Sequence, residues 1–355
     1  MPFLEAVGTA VPANVYTQKD IMPLVRKIFA DAFKDIDRLM KVFGTGLVHE
    51  RHFAMPLDWY TVEHSFSEKN RCFQQAAYDC SIRAVEDCLE QLPASSRQVD
   101  AVFVVTSTGI MTPGLDVALI EALDLPATTE RYPLWGYGCA GGVSGLNKAF
   151  TYCERYPERK ALLVCVEMCS TTFQHDDTSK SNLVGTSLFA DGAAAVVVSG
   201  DQAGKSDGNT LYYISGFQSL LPHSQEIMGW EIKEGGLHVI FAPKIPELVH
   251  SWAVPETKAF LTANGTELED IVSFVSHPGG RKVLEAYEEG LSVPKQAFAI
   301  AYDVLARFGN MSSPTVLFVL KERMKYPRKH GEKGLMSALG PGFSTDLLLF
   351  EWKGA

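Results

Sequence analysis

The sequence predicts an α/β protein of two similarly built halves, in which buried strands and amphipathic helices are stacked in layers. Three observations lead there. Short continuous apolar runs, such as Ala101 to Val105, Ala193 to Val198 and Ile271 to Ser276, read as strands covered on both faces. They alternate with longer stretches of helical period. Finally, Asp100 to Gly109 and Asp270 to Gly279 share one layout, an acidic residue, a Val/Phe-rich run, then Ser or Thr and a turn. Such self-similarity at half length points to an internal duplication, with two strand-helix layers packed against each other.

Taken in order, Met1 to Asn14 reads as a first strand and turn. It has no basic n-region and no long apolar run, so it does not read as a signal peptide. Thr17 with Asp20 three residues on is a helix-capping signal, and a helical pattern follows from Ile21 through Met40. Arg38, Lys41, His49, Glu50, Arg51 and His52 form a local, mostly cationic group, either a phosphate contact or a solvated helix face. Arg71 to Leu92 reads as a long helix. Ala101 to Val105 reads as a central strand running into the site-forming turn Thr106-Ser107-Thr108-Gly109. Ala161 to Cys169 is a further strand, Thr172 to Lys180 a polar loop, and Ala193 to Val198 a third strand. Gly200 to Asn209 is the most loop-like segment, and it divides the chain into halves 1–205 and 206–355. The second half then reads as strand Leu211 to Leu220, helix Glu247 to Ala263 and strand Ile271 to Ser276. Helices Arg281 to Glu289, Lys295 to Arg307 and Thr315 to Met324 come next, then a turn-rich stretch Gly334 to Gly342 and a final strand Phe343 to Trp352.

Composition narrows the function. At 46% hydrophobic and 21% charged, 355 residues suffice for a large globular core. A net charge of -10 argues against a nucleic-acid partner. The seven cysteines contain no C-x-x-C pair, so neither a zinc nor a disulfide framework is expected, and a reducing cytoplasm is. No apolar run reaches the length of a membrane span.

One cysteine stands apart. In Tyr137 to Leu146, five small residues surround Cys139, and Val143, Leu146, Ala149, Phe150 and Cys153 follow at helical spacing. The pattern predicts a turn delivering Cys139 to the start of a buried helix, whose dipole favours the thiolate. His277 and Asn310 lie in two further glycine-rich turns. Each of the three alone would more often be structural. Together they supply a nucleophile, an imidazole to pair with it and an amide donor, the set that acyl transfer through a thioester needs. Cleavage of a thioester or peptide by a Cys/His/Asn hydrolase draws on the same set.

Five blocks go further. Gly138-Cys139-Ala140-Gly141-Gly142, Leu188-Phe189-Ala190-Asp191-Gly192, His277-Pro278-Gly279-Gly280, Gly309-Asn310-Met311-Ser312-Ser313-Pro314 and Gly340-Pro341-Gly342-Phe343-Ser344 occur in this order. In them the chain resembles the type III polyketide synthases, the chalcone synthase-like branch of the condensing enzymes. Pro278-Gly279-Gly280 favours this branch over the initiating ketoacyl synthases of fatty-acid synthesis, which remain the runner-up with a single condensation. The run Trp135 to Cys139, and Val239 where plant members carry phenylalanine, resemble bacterial alkylpyrone-type members.

The resemblance implies a thiolase-like five-layer αβαβα fold with two pseudo-duplicated halves and a homodimer. Cys139 would be the nucleophile and acyl carrier, His277 and Asn310 the donors for malonyl-CoA decarboxylation, and Phe189 a gate. Ser107, Thr112, Thr172, Ser312 and Val239 would line the cavity, Thr112 standing where plant members send a methionine into the partner's cavity. Arg38 and Lys41 would meet the coenzyme A phosphates, with Thr45 at the place of a third cation. Substrates would be malonyl-CoA and a fatty acyl-CoA, with no metal and no cofactor beyond these thioesters.

Overall fold

The computed structural model of the chain describes residues 1–30, 33, 35–93, 97–204, 210–326 and 328–353. The first half holds strands β1 (Phe3–Ala10), β2 (Asn14–Thr17), β3 (Glu50–Phe53), β4 (Ala101–Thr106), β5 (Glu130–Trp135), β6 (Lys160–Met168) and β7 (Asp191–Ser199). Its helices are α1 (Gln18–Phe29), α2 (Ile36–Thr45), α3 (Phe66–Leu89), α4 (Leu115–Ala122), α5 (Gly141–Arg155) and α6 (Lys180–Leu188). The second half holds β8 (Thr210–Leu220), β9 (Met228–Lys233), β10 (Gly236–Phe241), β11 (Ile271–Ser276), β12 (Lys333–Gly340) and β13 (Ser344–Lys353). With them come α7 (Ile245–Leu248), α8 (Val254–Ala263), α9 (Arg281–Leu291), α10 (Ala299–Phe308) and α11 (Thr315–Arg323).

Nine strands pair in the order β11-β12-β13-β8-β1-β7-β6-β4-β5. From β1 outward, the first half is antiparallel to β7, antiparallel to β6, then parallel to β4. From β8 outward, the second half is antiparallel to β13, antiparallel to β12, then parallel to β11. This is the duplication written in topology. Within the sheet the halves join at a thin seam, where β1 and β8 pair only through Phe3 and Tyr212. Beyond β4 the first half adds β5 as an edge strand.

Alternation along β7 shows how the layers form. Ala193, Ala195 and Val197 pack with Phe73, Ala77 and Cys80 of α3, while Ala194, Val196 and Val198 pack with Val143, Leu146 and Phe150 of α5. Both faces are covered, so the strand is a continuous apolar run. Helix α5 lies against β4, β6 and β7 on one side and β8, β12 and β13 on the other, and α11 bridges the halves likewise. All of Thr315 to Leu320 is buried. These two helices are the middle layer; α3 and α4 cover one outer face, and α8 and α10 the other.

Most expected elements are present, with corrections. The helical pattern from Ile21 to Met40 is two helices, the second capped by Asp35, whose side chain accepts from Arg38 N–H at 3.2 Å. Gly334 to Gly342 is largely β12 rather than turns. Its Gly334 is needed for close approach, since a Cβ there would meet the Phe350 ring at 2.2 Å. Strand β4 lies next to the edge rather than at the centre of the sheet. Strand β5 and the β9–β10 hairpin fall where no element was expected. The expected boundary at 205/206 lies outside the described residues.

Candidate active site

Cys139 sits in a single 3-10 turn, Gly138–Ala140, that runs directly into α5. The small residues around it are required by crowding. A Cβ on Gly141 would lie 2.4 Å from Val105 Cγ1, and one on Gly142 would lie 2.4 Å from Ser313 O. Gly138 has φ +48° and leaves no room beside Pro341. His277 follows β11, its N–H donating to Ser337 O at 2.8 Å. Asn310 follows α10 through Gly309, at φ +71°. Its backbone exchanges two hydrogen bonds of 2.9 Å with Leu188 and Ala190, which ties it to the segment of Phe189.

The fold brings Cys139, His277 and Asn310 to one small pocket, closed by Met228, Phe241, Ile245 and Val283. Cys139 Sγ lies 3.9 Å from Asn310 Oδ1. Ser312 N–H donates to the same Oδ1 at 2.8 Å and so turns the Asn310 NH₂ outward, where it makes only a 3.3 Å bond to Gly279 O. Ser312 adopts φ +59°, a strained value for a residue with a side chain. Neither ring nitrogen of His277 has a partner among the described residues, although the ring is 4% exposed. Two orphaned ring nitrogens at a largely apolar pocket are a provision for a ligand rather than for stability.

The electrostatics correct one expectation. Burial pushes the Cys139 thiol up to about 11, and its hydrogen bonds with Ser312 and Asn310 only oppose it. Burial likewise pulls His277 down to about 3. The helix start therefore does not yield a thiolate by itself, because the cost of a lone charge in this pocket exceeds the pull of partial charges.

A carboxylate that sequence reasoning passed over braces the site. Glu167 of β6 is fully buried. Its Oε2 accepts from Ser107 N–H and Thr108 Oγ1, both at 2.8 Å, and its Oε1 from Ser313 Oγ at 3.0 Å. Ser107 Oγ in turn accepts from Gly138 N–H at 3.0 Å. One side chain thus connects the loop after β4, the Cys139 turn and the Asn310 loop. Burial raises it to about 7 against these hydrogen bonds.

A second cavity, narrow and apolar and open at its mouth, lies between α1, β3, α6 and the β9–β10 hairpin. Thr172, Phe189 and Val239 line it, with Ile21, Leu24 and Trp230. Phe189 stands at the division between the two spaces, its ring 6.4 Å from Trp230 of the cavity and 6.5 Å from Phe241 of the pocket. Other expected site residues fall elsewhere. Ser107 and Ser312 support the turns, and Thr112 is exposed on the loop after β4, away from both spaces. Arg38, Lys41 and Thr45 are exposed on α2. Arg51 is no surface cation: it is 1% exposed and lines the apolar cavity. Its position two residues before buried Phe53, on the same face of β3, is the period-two signal that would have shown it. Exposed Arg281 and Lys282 open α9 directly after Gly279 and Gly280 and were not anticipated.

Family models for the N-terminal and C-terminal domains of chalcone and stilbene synthases match residues 2–202 and 212–351. The chain belongs to that family, the type III polyketide synthases. A Bacillus subtilis (strain 168) protein that carries the chalcone synthase name provisionally is 42% identical over all of both chains. A 1,3,6,8-tetrahydroxynaphthalene synthase of Streptomyces peucetius subsp. caesius is 32% identical, covering 98% of this chain and 92% of its own. An alpha-pyrone-synthesis polyketide synthase-like protein of Mycobacterium tuberculosis (strain CDC 1551 / Oshkosh) is 29% identical over 98% and 90%. The crystal structure of the tetrahydroxynaphthalene synthase of Streptomyces coelicolor A3(2) superposes with a TM-score of 0.91 at 26% identity, covering 99% of this chain and 100% of that one. This type III polyketide synthase is accordingly an acyltransferase that works by decarboxylative condensation of coenzyme A thioesters. No helix among the described residues is long and apolar enough to cross a membrane.

Proposed function

We propose that this synthase loads a medium- or long-chain fatty acyl group on Cys139, extends it with malonyl-CoA and releases a cyclised tri- or tetraketide alkylpyrone. The observation that carries the reading is an apolar cavity whose lining Phe189 packs edge-on against Phe241 of the Cys139, His277 and Asn310 pocket. An aliphatic chain gains by burying its surface against such apolar walls. The alpha-pyrone relative supports the product class.

The chemistry follows from the pocket. Each charge is costly alone, so ionisation is a transfer within the pair: the Sγ proton passes to His277, and thiolate and imidazolium compensate each other. The thiolate attacks the acyl-CoA carbonyl, a new C–S bond forms, and coenzyme A leaves as its thiol with that proton. Malonyl-CoA next places its thioester oxygen against the Asn310 NH₂ and the His277 N–H. Its C–C bond to the carboxylate breaks, CO₂ departs, and the electron pair becomes an enolate whose oxygen both donors stabilise. The enolate carbon attacks the acyl group on Cys139, and the thiolate leaves. Arg38 and Lys41, exposed on α2, are our candidates for the phosphates of coenzyme A. The exposed edge of β5, with Trp135 and Ile110 exposed beside it, is assigned to a two-fold homodimer, which a monomer in light scattering would remove. The free cysteines fit a cytoplasmic enzyme, and recovery of the protein outside that fraction would refute it.

The test is mass spectrometry of products from malonyl-CoA with a panel of acyl-CoAs, alongside the Cys139→Ala variant. A ladder of pyrones on fatty starters, absent from the variant, is expected. Preference for short aromatic starters would sink the assignment of the cavity, and products from the variant would sink that of the nucleophile.

A further inference from the structure

Helix α6 ends without a glycine cap, and Phe189 after it is extended, at φ -73° and ψ 145°. The last carbonyls of a helix have no partner within it, and buried ones must find one outside. Here four consecutive carbonyls do. Arg51 Nη1 donates to Thr186 O at 2.5 Å and to Phe189 O at 3.0 Å. Gln18 Nε2 donates to Ser187 O at 2.9 Å, and Asn310 N–H donates to Leu188 O at 2.9 Å. Arg51 Nη2 also donates to Gln18 Oε1 at 2.7 Å, which joins the two side chains into one clamp.

The clamp has two ends. Gln18 is the first residue of α1, whose Ile21, Leu24 and Val25 form one wall of the apolar cavity. The segment it grips ends in Phe189, the ring that divides this cavity from the pocket of Cys139. The distance between that wall and that ring is therefore fixed by Arg51 and Gln18, neither of which touches Cys139, His277 or Asn310 through a side-chain hydrogen bond among the described residues. A guanidinium also suits the negative end of a helix.

Resting on the acyl reading of the cavity, we propose that Arg51 and Gln18 are positioning residues that place Phe189 and so set which acyl starters reach Cys139. A mere helix cap would be served by any cation. The observed grip needs one Nη on two carbonyls while the other holds Gln18, which a compact ammonium does not reproduce.

The experiment measures kcat and KM for hexanoyl-, decanoyl- and palmitoyl-CoA with the wild type, Arg51→Lys and Gln18→Leu. Ratios of kcat/KM between starters in one preparation cancel the folded fraction, so a purely structural role does not move them. Both variants are expected to flatten the ratio of best to worst starter about tenfold, with KM changing more than kcat. If Arg51→Lys does not fold, Gln18→Leu decides. Unchanged ratios in the folded variants overturn the clamp while leaving the acyl reading intact. A wild type that accepts none of the three starters overturns the acyl reading and the clamp with it.

Discussion

Glu167 shows how much one buried carboxylate can organise. Its acceptor atoms receive a backbone N–H and three hydroxyls, those of Thr106, Thr108 and Ser313, from segments more than 50 residues away. Hydroxyls can rotate to accept as well as donate, but the Ser107 N–H cannot. Glu167→Gln should therefore keep the fold, with its amide oxygen on Ser107 and its NH₂ turned to Ser313. Glu167→Leu should orphan the Ser107 N–H, cost about 1–3 kcal/mol and loosen the Cys139 turn. Urea unfolding and the rate of malonyl-CoA decarboxylation check this, and a Leu variant as stable and fast as the wild type would remove the bracing role. Glu167 was illegible in the sequence because it stands inside an apolar strand, where one acidic residue looks like a strand end. Cys139, His277 and Asn310 were legible for the opposite reason: each lies in a glycine-rich turn, fixed by crowding around Cys139 and by positive φ at Gly280 and Gly309.

At the scale of elements, the middle layer carries the site. Helices α5 and α11 meet where Gly142 faces Ser313 O and Val316 Cγ1, which a Cβ would approach to 2.4 and 2.5 Å. Ser313 O is backbone and cannot yield as a flexible side chain can, and the β-branched Val316 is stiff. Gly142→Ala should thus push α11 away, with a loss of about 1–3 kcal/mol from overpacking. Because Ser313 leads back to Asn310, the same variant should lose kcat for condensation; chemical denaturation and steady-state kinetics measure the two effects. Retained stability and rate would show that the helices have slack. The long apolar runs made these central elements readable, since burial on both faces needs only hydrophobicity. Strand β5, exposed at alternate residues, and the β9–β10 hairpin over the cavity gave no such signal, and Gly334 disguised β12 as turns.

For the whole molecule, the deep core leaves a mark on its pH dependence. Three carboxyls are raised by burial: Glu167 to about 7, Asp191 beside Ser170 and Ala54 to about 7, and Asp346 near Ser144 and Lys148 to about 6. The folded chain keeps these protons at pH values where the unfolded chain has lost them. Their contribution is complete below the unfolded values near 4 and is lost as pH rises through about 6 and 7. His277 works the other way, since its folded value is depressed to about 3. Below pH 6.5 the unfolded chain gains a proton that the folded chain refuses, and stability falls. Between pH 7.5 and 5.5 three carboxyls oppose one imidazole, so the net slope has the sign of the carboxyls. The carboxylates held low by caps and ion pairs, such as Asp20 and Glu130, lose their contribution only at more acidic pH. Thermal unfolding should accordingly occur about 2–5 °C higher at pH 5.5 than at pH 7.5. Glu167→Gln should reduce that difference, because an amide has no proton to retain. A midpoint that stays level or falls on acidification would mean that these carboxyls are ionised in the fold and paid for by contacts not seen here, and a slope left intact by Glu167→Gln would move its origin to Asp191 and Asp346.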